Sequence, residues 1–199
     1  MKVTKRRAAE NRSRLVRAAG KLFRQHGIDG IGVADIGKAA GLTHGAVYAR
    51  FPSKQALAAE ALSEGTKRTT ELMKSACAAQ PTIGAYLDFS LNKIHRDDIA
   101  GGCPLTASGS ETARQRKPVS RAFAEGFENY VAAVQEVLAD NADYATTRER
   151  AIAIAAAEIG TLIVSRAVMK ADLAYSNEIL AAGRRVLGEV GGEYRQTAH

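Results

Sequence analysis

The side chains able to do chemistry are unevenly spread along this chain, and their densest group is cationic. Residues 1–54 hold twelve lysines and arginines (Lys2, Lys5, Arg6, Arg7, Arg12, Arg14, Arg17, Lys21, Arg24, Lys38, Arg50 and Lys54) against Glu10, Asp29 and Asp35, a local balance of +9. Residues 55–199 hold sixteen basic and eighteen acidic residues, a balance of −2. The whole excess of positive charge therefore sits at one end. A basic segment on a near-neutral remainder is the electrostatic footprint of a protein whose one end meets a polyanion such as nucleic acid. Charge alone describes a solvated basic face equally well.

The other reactive side chains form no such group. His26, His44, His95 and His199 are scattered, and Cys77 and Cys103 stand 26 residues apart without the paired spacing of a zinc site or a disulfide framework. No glycine-rich phosphate loop occurs, and no nucleophile has a recognisable base. The expectation is therefore no enzyme, no metal and no cofactor, with a thiol-dependent enzyme built on Cys103 as the competing class. Reduced thiols fit a cytosol. The basic N-terminus is not followed by an apolar core, which argues against secretion. The most apolar stretch, 151–169, contains Glu158 and Arg166 and reads as a buried helix of a soluble, cytoplasmic protein, not a membrane span.

The elements that position these groups read as helices. Trp is absent, Pro scarce, and alternating β-branched runs are hard to find, so the fold class is all-α. Leu15, Ala18, Ala19, Leu22 and Phe23 recur at helical spacing among basic residues, and the helix closes at His26-Gly27. Val33 to Ala40 repeats the pattern, with Gly32 as a weak N-cap. After Gly41, Thr43 caps a third short helix to about Arg50. Phe51-Pro52-Ser53-Lys54 stops it, with Ser53 capping a long helix to about Ala78. Further helices are expected from Pro81 to about Asp97, from Cys103-Pro104, from about Val119 to Ala139, from Thr147 to Met169 and from Ser176 to Val190. A loop over Ile99–Gly102 and a turn-rich stretch over Asn141–Thr147 separate them. The expected division is a three-helix head over 1–54 and a helical body over 55–199.

Two short helices joined by a glycine turn outline a helix-turn-helix, whose second helix enters the major groove. The string Leu22-Phe23-Arg24-Gln25-His26-Gly27, then Val33-Ala34-Asp35-Ile36, then Ala39 through Leu57 resembles the N-terminal domain of the TetR family over roughly residues 10–60. That resemblance implies a DNA-binding head on a helical body that binds a small molecule and dimerises. It implies that Thr43, His44, Gly45 and Ala46 face the groove, and that Tyr48 and Lys54 each meet a phosphate of double-stranded DNA. The residue chemistry agrees: Thr43 and His44 offer short polar groups at a helix start, Gly45 lets the backbone approach, and Lys54 carries a flexible charge. Val47, Phe51 and Ile36 read as the head's own core. Each contact has a plainer reading: Thr43 as cap only, His44 as surface, Tyr48 as partly core. The pattern departs at Gly32 and Ala34, where the family often has longer polar residues. Arg6, Arg7, Arg12 and Arg14 are candidates to replace the lost contacts as an N-terminal arm.

In the body, Gly101-Gly102-Cys103-Pro104-Leu105-Thr106, followed by Glu111, resembles a TetR branch with a Gly-Cys-Pro step at the start of a body helix, some of whose relatives sense electrophiles or oxidants. A thiol at a helix start favours thiolate; a small residue filling a junction is the alternative. Tyr86, Phe89, Phe123, Phe127 and Tyr130 are candidates to line an effector pocket, or to be core. The last two helices are apolar on more than one side, with Ile152, Ala155, Ile159, Leu162, Ile163 and Arg166 on one stripe and Ile179, Gly183, Val186 and Val190 on another. This implies a homodimer. The function these readings converge on is a repressor that leaves a near-palindromic operator when a small molecule binds or Cys103 is modified. A constitutive or nonspecific DNA-binding protein is the alternative.

Overall fold

Helix is the only regular structure among the described residues of the computed structural model, which are 5–138 and 144–192. The helices are α1 (Lys5–His26), α2 (Val33–Ala39), α3 (His44–Tyr48), α4 (Lys54–Cys77), α5 (Ile83–Ser90), α6 (Lys93–Asp97), α7 (Pro104–Thr112), α8 (Lys117–Leu138), α9 (Tyr144–Val168) and α10 (Leu173–Gly191). By contacts the chain divides into two compact units, residues 1–66 with 103–126, and residues 67–102 with 127–199. The division falls inside α4 and inside α8.

In the first unit the turns are set by the residues expected to set them. Gly27 ends α1 in the left-handed conformation (φ 77°), its N–H returning to Phe23 O at 2.9 Å. Gly41 (φ 66°) closes α2, with Gly41 N–H bonded to Lys38 O and Leu42 N–H to Gly37 O, each at 2.9 Å. These two bonds satisfy carbonyls that the helix end would otherwise orphan. Ser53 Oγ accepts the Ala56 N–H at 3.1 Å and so opens α4. Leu15, Val16, Phe23, Ile36, Val47, Phe51 and Leu57 form one buried core. Val119 and Ala122 of α8 belong to the same core, with Phe123 packed half-buried against it. The compact unit holding the head is thus discontinuous in sequence.

In the second unit the stretch expected as one helix from Pro81 to Asp97 is two. Asn92 is the physical reason. Its amide donates to the carbonyls of Asp88 and Phe89, closing α5, while its Oδ1 accepts His95 N–H at 2.7 Å and caps α6. Ile94 is 83% exposed because the break rotates it off the core face. Tyr144 opens α9 before the expected start at Thr147, whereas 139–143 and 193–199, with Ala139 and His199 among them, lie outside the described residues. Asp172 caps α10, accepting Tyr175 N–H at 2.9 Å, so that helix begins three residues before Ser176.

Helices α9 and α10 pack on one another, and the close approach requires Gly183: a Cβ there would lie 2.6 Å from Thr161 Cγ2. The buried side of α9 is Thr147, Ala151, Ile154, Ala155, Glu158, Ile159, Leu162 and Ser165, at helical spacing. Ile152 and Ile163, placed by spacing on one stripe with Ala155, Ile159 and Leu162, are exposed, as are Val164 and, on α10, Val186 and Val190. By length and composition Thr147–Val168 is apolar enough to cross a membrane. Here its inner side carries three polar residues, Thr147, Glu158 and Ser165, and faces other helices.

Candidate nucleic-acid interface

Helix α3 is one and a half turns long, too short to hold itself, and three devices fix it. Thr43 Oγ1 accepts the Ala46 N–H at 3.3 Å, Val47 is buried beneath, and Arg50 Nη1 donates to Ala46 O at 2.7 Å. Thr43, His44 and Gly45 are exposed, Ala46 is half-buried, and a Cβ on Gly45 would meet nothing within 4 Å. Tyr48 is 49% exposed, its ring edge-on to His44 at 5.0 Å between centroids. Lys54 is half-buried at the first position of α4. The face presented is small at the helix start and flanked by aromatic and cationic groups, which suits backbone approach to a groove floor with phosphates to either side.

Helix α2 lacks a side-chain cap, as Gly32 requires, and the Asp35 carboxylate lies 3.0 Å from where a Gly32 Cβ would stand. Ala34 is exposed and offers no polar group. Of the arginines read as a compensating arm, Arg12 is engaged by the chain. Its Nη1 donates to Arg50 O and its Nε to Glu60 Oε1, each at 2.9 Å, and it stacks 4.2 Å from the Phe51 ring centroid. A second bond from Nη2 to Glu60 Oε2 completes a bidentate pair. Arg12 therefore braces α1 against the end of α3 and the start of α4. Arg6 pairs with Glu10 at 2.9 Å on the exposed side of α1, and Arg14 lies over the α2–α3 turn, its Nη2 2.6 Å from the position of a Gly41 Cβ.

The comparisons with known proteins agree with this geometry. Residues 15–61 match the family model for bacterial regulatory proteins of the tetR family, and residues 79–172 match that for the C-terminal domain of LmrA/YxaF-like transcriptional regulators. The chain belongs to the TetR family of transcriptional regulators. It is 27% identical over 135 residues to the HTH-type transcriptional regulator LmrA of Bacillus subtilis, covering 65% of this chain and 71% of that one. Among solved structures it resembles the reduced form of Escherichia coli NemR, with a TM-score of 0.74 at 17% identity over 90% of this chain and 95% of that one. It also resembles a TetR-family regulator from Cytophaga hutchinsonii, with a TM-score of 0.74 at 18% identity over 95% and 98% of the two chains. At those identities the structures speak for the fold alone.

The residues read as an effector or sensing set fall in different places. Cys103 and Phe123 belong to the unit that holds this regulator's head, and Tyr86, Phe89, Phe127 and Tyr130 to the other. Cys103 is the N-cap of α7 without a side-chain cap bond, and 3% of it is exposed. In the second unit Tyr86 and Tyr130 are buried with ring centroids 6.2 Å apart, while Phe89 and Phe127 are half-buried. Cys77 is buried too, which pushes its thiol pKa up by desolvation.

Three groups escape sequence reasoning. Glu111 Oε1 accepts Asp29 N–H at 3.0 Å, Gln115 Nε2 donates to Asp29 Oδ2 at 2.9 Å, and Gln55 Nε2 donates to Gln115 Oε1 at 2.8 Å, so α7 and the turn that follows it clasp the α1–α2 turn. Arg96, 2% exposed, ties α6 to Ser176 and Asn177 of α10. Glu158 is buried and accepts the Tyr130 hydroxyl at 3.4 Å. Long-range polar pairs of the first two kinds leave no periodic trace. Glu158 does leave one, as a lone acid in an apolar run.

Proposed function

We propose that this TetR-family regulator is a cytoplasmic homodimeric repressor that sets two copies of α3 in successive major grooves of a near-palindromic operator. The observation that carries this reading is the face of Thr43, His44, Gly45 and Ala46, outward and open at Gly45, on a segment with a +9 balance. In this reading residues 1–54 hold the DNA, with Tyr48 and Lys54 on phosphates, and residues 55–199 dimerise and bind a small-molecule effector. Tyr86, Phe89, Phe127 and Tyr130, which share the second unit, are its candidate lining. Effector binding in the body releases the operator, a coupling between two sites.

Selection of bound duplexes from a random pool tests the reading. The expected product is a palindrome with half-sites one or more helical turns apart. Enrichment of an asymmetric site, or binding without sequence preference, would overturn it. Modification of Cys103 is the alternative trigger, supported by its place at the start of α7 and opposed by its burial. Quinone treatment decides between them: release abolished by Cys103→Ser supports the thiol, and release unchanged in the variant rejects it.

A further inference from the structure

Glu158 is the acid that the fold treats most expensively. It lies on the inner face of α9, 1% exposed, beside Tyr130 of α8, whose hydroxyl donates to Oε2 at 3.4 Å, and near the buried Tyr86 of α5, whose ring centroid is 6.2 Å from that of Tyr130 and whose phenol favours the ionised carboxyl. Burial holds the group protonated, pushing its pKa up to about 8. Among the described residues the other charge acting on it is Arg166, further along α9, which favours the ionised form and is itself held by the carbonyls of Arg96 and His95 at 2.9 and 2.8 Å.

A glutamine here would make the same hydrogen bonds with no ionisation penalty, and a leucine would fill an apolar helix face at still lower cost. What a carboxyl adds over either is the capacity to become charged when a cation is placed beside it. The surroundings suit that step: two phenols donate to the carboxylate once it forms, and two aromatic rings add surface that attracts cations.

We infer that Glu158, Tyr86 and Tyr130 form the polar anchor of the effector site and that they take a lipophilic monocation, an aromatic or alkyl amine in its protonated form. This rests on the reading that the body holds an effector, and it names the class. The step balances as a proton exchange: the ammonium enters with its charge, the carboxylic acid ionises to face it, and one proton leaves to solvent. Because the triad is closed to water, entry requires α5, α8 and α9 to part, so cation binding is coupled to a change in the body's packing.

Calorimetry on the full chain tests this with a matched pair of probes, 2-naphthylmethylammonium and the neutral 2-naphthylmethanol, at about pH 6.5 in two buffers of different ionisation enthalpy. The ammonium is expected to bind at least about tenfold more tightly than the alcohol and to release about one proton, as the linkage between ionisation and binding requires. Glu158→Gln is expected to remove both the preference and the proton release. Tyr130→Phe should keep the proton release with affinity lower by about threefold, the loss of one hydrogen bond. Equal or tighter binding of the alcohol, ammonium binding without proton release, or no ammonium binding overturns the proposal. The wild-type proton count decides the matter even where a variant fails to fold. No DNA is present, so failure here leaves the repressor reading standing, and failure of the duplex selection leaves this result standing.

Discussion

At the scale of single residues, the side chains proposed to face the groove and those proposed to meet phosphates differ in what their loss does. His44 is exposed at the start of α3 and makes no hydrogen bond that holds the head together, so His44→Ala is expected to leave stability unchanged. It should relax base preference at one position of each half-site, at about 1–3 kcal/mol. Lys54→Ala should instead weaken binding to all sequences and reduce the slope of log affinity against log salt by about one. Binding titrations over a salt series on matched and mismatched duplexes distinguish the two. Glu158 makes a different prediction, about stability. Its pKa is about 8 in the fold and 4.5 in the unfolded reference, so the fold binds a proton that the unfolded chain has lost. Its contribution is fully present below the lower value and is lost as pH rises through the upper one, at up to about 1.4 kcal/mol per pH unit in between. Urea unfolding across that range should show the decline, flattened in Glu158→Gln, with Tyr86, Tyr130 and Arg166 as the neighbours whose charge state sets the baseline. A decline of equal slope in the variant would assign it to other groups.

At the scale of elements, the head depends on partners outside its own stretch of sequence. Val119 of α8 is fully buried in the core that Leu15, Ile36 and Phe51 build, so Val119→Ala is expected to cost about 1–3 kcal/mol. Arg12→Met should loosen the seat of α3 by removing its bonds to Arg50 O and Glu60, lowering operator affinity although Arg12 touches no DNA in this reading. Unfolding curves and duplex titrations on the same variants check both, and an Arg12→Met protein with unaltered affinity would remove the brace from the account. These dependencies mark where the sequence was legible. Gly27, Gly41, Thr43 and Ser53 act locally, each within four residues of what it closes, so the helix-turn-helix and its outward face could be read from residue types. Asn92 is local too, yet its side chain serves one helix end and the next helix start at once, and an apolar run through Tyr86, Leu91 and Ile94 hid the break. The Glu111–Asp29 and Gln55–Gln115 bonds join residues 82 and 60 positions apart and leave no pattern in either stretch.

At the scale of the whole molecule, the apolar residues left outside by α9 and α10 carry the argument for assembly. Ile152, Ile163, Val164, Val186 and Val190 are each between 37% and 49% exposed on the two helices that pack on one another. Scattered apolar residues at a surface need no explanation, but β-branched side chains gathered on one helix pair mark a surface that another copy can cover. The charge distribution agrees, because the excess that would make copies repel is confined to the first 54 residues. If the dimer forms there, the double variant Val164→Glu with Val186→Glu should sediment as a monomer with its helical circular dichroism intact, since both positions are off the buried core. Its affinity for a two-half-site operator should then fall by about 10²–10⁴-fold, the effective-concentration advantage that one linked pair of heads has over two separate ones. Affinity for a single half-site should be unchanged, because α3 and its supports are untouched. A variant that stays dimeric would move the interface to another face, while a monomer that retained full operator affinity would show that one head suffices and that the palindrome does no work.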